Sequence, residues 1–176
     1  MHWKDYPFIS PITVTSAPLV GISACLMGEP VRYDGTHKKD ASLQTNIGPY
    51  VSWHKVCPES EAGLGTPRPP VQLVQKNHIR ALGVDNLSLD VTAQIHTMAQ
   101  NFTSQKVLRN NLCGFILKAR SPSCGTQSTP LFNTNRKQVA LASGVFSQHL
   151  QTTMPWLPIY DEEILLNPKA RNLALF

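Results

Sequence analysis

Three cysteines of this chain each follow a short apolar run, and each opens a loop rich in turn residues. They are Cys25, Cys57 and Cys124. In an open sheet of parallel strands, the loops that leave the carboxyl ends of the strands converge on one crevice. The three thiols are far apart in sequence, so only such a fold would bring them together, as a metal or cluster site.

The order of the predicted elements supports this kind of fold. Apolar runs predict strands at 18–24, 50–56, 113–118 and 157–160, a weaker strand at 138–142 and a hairpin at 71–75 and 79–84. Strands that alternate with helical segments indicate parallel pairing. We therefore predict an α/β fold with an open, mainly parallel sheet flanked by helices (Rossmann-like) and a small β-hairpin insertion.

Helical periodicity is clearest over 91–109. Val91, Ile95, Met98 and Phe102 fall on one face of a 3.6-residue period, which is typical of a helix packed against a core. The other predicted helices are a short one capped by Asp40 and one over 144–153 capped by Ser143; Asp90 or Thr92 is expected to cap the long helix.

The length of 176 residues suggests one domain. Residues 1–17 lack periodicity and are predicted to form an N-terminal arm, and residues 18–176 to form the single α/β domain. The formal charge of +5 permits an anionic ligand, but the chain has no long basic run, so nucleic acid is not an expected partner. No stretch approaches the roughly 20 apolar residues of a membrane span.

The four cysteines could form two disulfides, but a chain of this length does not need them. Ile22–Cys25 resembles a lipoprotein cleavage box. However, the preceding segment is interrupted by Pro7, Pro11 and Pro18, whereas a signal peptide needs a continuous apolar stretch. We therefore expect a cytoplasmic protein with reduced thiols.

Cationic residues accompany all three cysteine loops and would stabilise thiolates. They are Arg32, His37, Lys38 and Lys39 near Cys25, Arg68 near Cys57, and Lys118 and Arg120 near Cys124. The absence of C-x₂-C and H-x₃-H pairs excludes a zinc finger, and thiolates otherwise select iron–sulfur clusters, copper(I) or zinc. Cys113 is a possible fourth ligand, but eleven residues of extended chain, at ~3.3 Å each, would place it far from Cys124. We predict that Cys113 is a core thiol.

Polar side chains in the same loops are candidates for proton transfer and substrate contact. Glu59 follows Cys57 by two residues and has no obvious capping role, so it is the candidate acid or base. Ser121 and Ser123 precede Cys124, with loop capping as the alternative, and Asp34 is equally well explained as a turn residue.

These residues form ordered motifs that resemble a known family. The motifs are Ser23-Ala-Cys-Leu-Met-Gly28, Val31-Arg-Tyr-Asp-Gly35, His37-Lys-Lys-Asp40, Cys57-Pro-Glu59, Gly63-Leu-Gly-Thr-Pro-Arg-Pro-Pro70 and Lys118-Ala-Arg-Ser-Pro-Ser-Cys-Gly125. They are similar to those of a bacterial family whose characterised branch is the thiouracil desulfidases, and the resemblance runs from about Leu19 to the C-terminus.

The resemblance implies an enzyme with a [4Fe–4S] cluster held by Cys25, Cys57 and Cys124 and readily degraded in air. The free iron would take the sulfur of a thiolated pyrimidine such as 2-thiouracil, giving uracil and sulfide without net redox change. The resemblance also implies catalytic roles for Glu59 and Ser121. Asp34, Ser123 and Arg68 are expected to bind the small-molecule thiolated nucleobase.

Two departures from the family pattern bear on the substrate. Met27 and Glu29 stand in the Cys25 loop where small or apolar residues are usual, so they could reshape the pocket. Two other classes of function remain open. One is a non-catalytic metal- or sulfur-binding or sensing module, and the other is a metal-free redox thiol protein, which the absence of C-x-x-C disfavours.

Overall fold

A computed structural model describes residues 17–166 of the chain. The predicted arm over 1–17 therefore lies outside the described residues, apart from Ala17. The strands are β1 (Leu19–Ser23), β2 (Ser52–Val56), β3 (Val71–Gln75), β4 (Ile79–Gly83), β5 (Leu112–Leu117), β6 (Thr129–Phe132), β7 (Gln138–Ala142) and β8 (Ile159–Asp161). The helices are α1 (Ala41–Asn46), α2 (Pro58–Glu61), α3 (Thr92–Ser104), α4 (Lys106–Asn111), α5 (Val145–Thr153) and α6 (Glu162–Leu166).

The first sheet is wholly parallel and confirms the predicted fold class. Its strand order is β2-β1-β5-β8. Gly21 in the central strand β1 lies opposite His54 on one side and Phe115 on the other. Because all four strands run the same way, the loops that follow them leave from one edge.

A second, mixed sheet is larger than the predicted insertion. Strands β3 and β4 form the expected antiparallel hairpin, with Leu73 opposite Ala81. Strand β6 adds to β3 in parallel and β7 pairs antiparallel with β6, which completes the order β4-β3-β6-β7. The hairpin is thus one half of a four-stranded sheet.

The long helix is shorter than its periodicity predicts. Helix α3 ends at Ser104, and Gln105 has an extended backbone with φ −71° and ψ 92° before α4 begins. The prediction of one helix over 91–109 is therefore wrong at its C-terminal end. The predicted apolar face is confirmed, because Ile95, Met98 and Phe102 are buried in the core.

Aromatic packing joins α3 to the parallel sheet and to α5. The ring of Phe102 lies 5.9 Å from that of Phe115 on β5 and 5.3 Å from that of Phe146 on α5, measured between centroids. Tilted and edge-on ring pairs of this kind add to the free energy of apolar burial. Among the helices of the described residues, none is both long and apolar enough to cross a bilayer.

Candidate active site

A cavity of about 530 Å³ opens at the carboxyl edge of the parallel sheet. Its walls include the three sequence-predicted cysteines, Cys25, Cys57 and Cys124. Each comes from the segment that follows a different strand, β1, β2 or β5. The convergence expected from parallel topology is therefore present in the structure.

Cys25 lies in a 3-10 turn, Ala24–Met27, that begins where β1 ends. The backbone carbonyl of Cys25 accepts hydrogen bonds from the N–H groups of Gly28 (3.3 Å) and Lys38 (2.9 Å), so the loop folds back over the strand end. Gly28 terminates the turn with φ 94°, a left-handed conformation that glycine adopts without strain. The Cys25 side chain is consequently fixed and buried.

Cys57 occupies the N-cap position of the short helix α2, without a capping bond from its side chain. Its backbone N–H donates to Glu61 Oε1 at 2.9 Å, so Glu61 performs the local capping task and leaves Glu59 for another role. Pro58 at the first helical position suits the fixed φ of proline.

Cys124 is held in a loop with many hydrogen bonds. The hydroxyl oxygen of Ser121 accepts from the backbone N–H of Ser123 (3.3 Å) and of Cys124 (3.2 Å). The carbonyl oxygen of Ser123 accepts from Phe146 N–H (2.9 Å) at the start of α5. These bonds satisfy helix-terminal donors and fix the backbone of the Cys124 loop.

The carboxylate of Glu59 lies against the cavity and is mostly buried. Glu59 Oε1 accepts from Ser123 Oγ at 2.7 Å, and Oε2 accepts from Arg68 Nε at 2.8 Å. A buried carboxylate needs partners of this kind to offset its desolvation. The structure therefore holds Glu59 in one orientation, between the Cys57 segment and the Cys124 loop.

Arg68 and Ser123, predicted to bind substrate, both contact Glu59. Arg68 lines the cavity, but its other donors reach the carbonyl oxygens of Gly65 (2.8 Å) and Val31 (3.0 Å). Ser123 is fully buried and its hydroxyl is used by Glu59. Their observed contacts are with the protein, and they fix Glu59.

Burial and charge act in opposite directions on the cysteine thiols. Burial raises the pKa of Cys25 to about 11, with a further increase from Cys57, while Arg32 and Lys118 oppose the shift. Burial also raises the pKa of Cys124 well above that of an ordinary thiol. Without a bound cation the buried thiols favour the protonated form, and a metal ligated by them would displace those protons.

Arg32 supplies a partly buried positive group at the cavity. Its Nε atom is buried without a hydrogen-bond partner, and the nearest carboxylate oxygen, Oδ1 of Asp34, is 3.6 Å away. Together with Lys38, Lys118 and Arg120, Arg32 gives the cavity wall several cations. Within residues 17–166, no group of three or more His, Cys, Asp or Glu side chains is close enough together to hold a single metal ion.

Other candidates lie away from the cavity. Asp34 is a turn residue whose Oδ1 accepts from Thr36 N–H (3.0 Å) and Oγ1 (2.6 Å), and it does not line the cavity. Met27 and Glu29 are also absent from the cavity wall, and Glu29 pairs with Lys55 instead. Neither residue therefore contacts the cavity directly, and their effect on the shape of the pocket stays a prediction.

Cys113 lies far from Cys124, as predicted, but the prediction that it is a core thiol is wrong. It lies at the start of β5, at the opposite end of the sheet from the cavity, as its distance from Cys124 in the sequence indicates. However, it is exposed, and its thiol donates a hydrogen bond to the carbonyl oxygen of Asn111 at 3.5 Å. The side chain precedes the buried run Phe115–Leu117 and points away from the core.

Sequence reasoning missed Glu162, which is buried beside the site. Its carboxylate pairs with Lys118 Nζ and accepts the backbone N–H of Ala119 at 2.6 Å. Glu162 follows the last strand, and no cysteine or turn motif near it indicates a role. Only the parallel pairing of β8 with β5 brings it to the Cys124 loop.

A cavity at the carboxyl edge of a parallel sheet, lined by three cysteines and a fixed carboxylate, is typical of the active site of an α/β enzyme. The family model of 2-thiouracil desulfurase matches residues 20–162, and the chain belongs to that family. The predicted family resemblance is confirmed.

Two similar proteins extend this finding. A solved structure of the [4Fe-4S]-dependent thiouracil desulfidase TudS shares 30% identity and a TM-score of 0.68, and the match covers 90% of this chain and 99% of that chain. The uncharacterized protein YbbK of Bacillus subtilis (strain 168) is 26% identical over 119 residues, 61% of this chain and 74% of that protein.

Proposed function

We propose that this protein is a [4Fe–4S]-dependent desulfidase that removes sulfur from a thiolated pyrimidine such as 2-thiouracil, giving uracil and sulfide. The observation that carries the proposal is the position of three thiols from three strand ends around the cavity that Glu59 also lines. Membership of the 2-thiouracil desulfurase family and the likeness to TudS support it.

The residues present fit an iron–sulfur cluster held by Cys25, Cys57 and Cys124. Thiolates are the usual protein ligands of such clusters, and the three thiols surround the cavity without meeting at one point. Arg32 and Lys118 provide positive charge beside Cys25, which suits an anionic group. When bound, a cluster with only three protein ligands supplies an open iron position that attracts the soft sulfur of the substrate.

Glu59 is the proposed proton carrier of the reaction. Overall, 2-thiouracil and water give uracil and hydrogen sulfide: a C–O bond forms, the C–S bond breaks, and no electrons are gained or lost. Glu59 takes a proton from the attacking water and delivers it to the departing sulfur. The bonds from Arg68 and Ser123 aim its carboxylate at the cavity while this happens.

Ser121 is the proposed substrate-orienting group. Its oxygen accepts two backbone N–H groups, and among residues 17–166 its hydroxyl donates to no protein partner, so its proton can be donated to a ligand. A polar atom of the pyrimidine ring that accepts this proton would be held in a fixed direction beside Glu59. The cavity volume of about 530 Å³ is adequate for one small heterocycle.

The proposed setting is a reducing compartment. All four cysteines are free thiols, and an iron–sulfur cluster with an open position is sensitive to oxygen. The expected cytoplasmic location and the small-molecule partner follow from this chemistry.

Anaerobic purification and reconstitution test the proposal. The expected product is a brown protein with about four irons per chain that releases sulfide from 2-thiouracil. Glu59→Gln should keep iron and colour but lower turnover on the order of 10²- to 10⁴-fold. Asp34→Asn, which alters a carboxylate outside the cavity, is the matched control and should leave turnover near that of the wild type.

The outcomes separate the two classes of function that involve a cluster. An iron-free, colourless anaerobic protein would overturn the cofactor assignment. A protein that keeps its cluster but converts no thiopyrimidine would instead be a binding or sensing module. Equal activity in the Glu59→Gln and wild-type proteins would remove Glu59 from the mechanism.

A further inference from the structure

Three consecutive acidic residues, from the last residue of strand β8 onward, contact the Cys124 loop at three separate points. Asp161 Oδ2 accepts from Thr126 Oγ1 at 3.1 Å, on the far side of Cys124. Glu162 contacts Lys118 and Ala119, where the loop begins. Glu163 pairs with Arg120 between those two points. The loop that carries Ser121 and Cys124 is thus tied to one short acidic segment.

Of the two ion pairs, the Lys118–Glu162 pair is much more buried than the Arg120–Glu163 pair. The Glu162 side chain is 7% exposed and that of Lys118 is 14% exposed, whereas the Arg120–Glu163 pair is 63% and 46% exposed. Exposed ion pairs contribute little to the stability of the folded state. Removal of one member of a buried ion pair, in contrast, leaves an uncompensated charge in the interior. Of these two ion pairs, the one formed by Glu162 is therefore the one whose loss would disturb the loop.

The same junction also reaches the Cys25 segment. The backbone N–H of Lys118 donates to Ser23 Oγ at 2.9 Å, and Ser23 precedes the turn that holds Cys25. The side chain of Lys118 lines the cavity. Glu162 consequently fixes both a cavity cation and the backbone from which the Cys124 loop departs.

We propose that Glu162 is a positioning residue, which sets the place of the Lys118 ammonium group and of the loop that carries Ser121 and Cys124. The proposal rests on the proposed function in assigning these groups to one reaction. Glu162 does not line the cavity, so it acts through Lys118 and Ala119.

The test begins with the metal-free protein and with Glu162→Gln. The glutamine can still accept the Ala119 N–H, but it removes the negative charge beside the Lys118 ammonium group. Alkylation of each cysteine by iodoacetamide is followed by mass spectrometry at a temperature where every variant is folded. Exposed Cys113 serves as the internal reference. We expect Cys124 alkylation to accelerate on the order of tenfold in Glu162→Gln through local opening of the loop.

Glu163→Gln is the matched control, because it removes the neighbouring carboxylate from an exposed pair. Its Cys124 alkylation should equal that of the wild type. In the reconstituted proteins, Glu162→Gln should lower kcat more than it changes KM and should shift the visible absorption of the bound cluster. The double variant Glu162→Gln with Lys118→Met removes both buried charges and should recover slow Cys124 alkylation.

Unchanged Cys124 alkylation in Glu162→Gln would overturn the proposal. Equal acceleration at Cys113 and Cys124 would also overturn it, since that pattern indicates general loosening. The alkylation result is independent of turnover, so a protein without desulfidase activity would refute the proposed function while the role of Glu162 in placing the loop is still measured.

Discussion

The two ends of the parallel sheet carry cysteines with opposite surroundings. At the carboxyl end, Cys25, Cys57 and Cys124 line a cavity whose wall includes Glu59. At the amino end, Cys113 is exposed at the start of β5. The same residue type is therefore a candidate ligand at one end and a surface thiol at the other.

Exposed apolar side chains are also found at the amino end of the parallel sheet. Three large hydrophobic side chains are exposed near the segments that lead into β2, β5 and β8, namely Tyr50 at 73%, Val107 at 79% and Trp156 at 58%. The Arg109 guanidinium group lies 5.0 Å from the centroid of the Trp156 ring, a cation–π contact at the surface. Chemistry is concentrated at the carboxyl end because parallel topology brings polar loops together only there.

The largest test of this division compares Cys124→Ala with Cys113→Ala. Cys124→Ala removes one of three proposed cluster ligands, so iron content and sulfide release should fall to near background after anaerobic reconstitution. Cys113→Ala should retain the iron content, colour and turnover of the wild type, because its thiol lies at the opposite end of the sheet. Iron and sulfide assays check both variants, and loss of the cluster in Cys113→Ala would erase the proposed difference between the ends.

A smaller effect, on stability, is expected from replacing one glycine by alanine at each end of the sheet. A Cβ atom on Gly144 would lie 2.4 Å from the backbone carbon of Ser123 and 2.7 Å from the nitrogen of Cys124. Backbone cannot yield as a flexible side chain does, so Gly144→Ala should displace the Cys124 loop and destabilise the protein by about 1–3 kcal/mol. Denaturant unfolding measures the change.

Gly114→Ala is the control at the amino end of β5. A Cβ atom there would be 3.5 Å from the nearest atom, the carbonyl oxygen of Pro158, which is an ordinary contact. Its unfolding free energy should lie within about 1 kcal/mol of the wild-type value, as for most substitutions without a steric cause. Equal destabilisation by the two alanines would show that the Cys124 loop is not packed more tightly than the amino end.

The sequence predicted correctly the features whose contacts are with residues close by in the chain. Asp40 caps α1 as predicted, and its Oδ1 accepts the N–H groups of Ser42 (2.9 Å) and Leu43 (3.3 Å). The cysteine motifs likewise identify the loops that line the cavity, because each follows its strand directly. The family resemblance, rather than spacing, supplied the cluster type.

The sequence did not predict features that depend on contacts with a segment distant in the chain. Ser143 was predicted to cap α5, but the residue before that helix is Gly144, and the helical N–H groups bond to Pro122 O and Ser123 O of the Cys124 loop. Strand β6 was not predicted at all, since it has four residues and includes Pro130, which lacks a backbone donor. No local pattern marks Glu162, whose partners are more than forty residues away.

The smallest expected effect concerns a histidine pair that joins α3 to α5. The rings of His96 and His149 are 5.3 Å apart at their centroids, and His149 Nε2 lies 3.0 Å from Thr103 Oγ1. Burial, reinforced by the charge of His96, lowers the pKa of His149 below 6.5. In the unfolded chain, His149 therefore binds its proton at a higher pH than in the folded protein.

This difference makes the folded state lose stability as the pH falls below about 6.5, while above that value the contribution of His149 is fully present. His149→Gln removes the titration but retains a side chain able to bond Thr103. Urea unfolding at pH 7.5 and pH 5.5 should show a smaller loss of stability on acidification in His149→Gln than in the wild type. An equal loss in both would place the acid sensitivity elsewhere, with half-buried His54, whose pKa burial also lowers, as the next residue to replace.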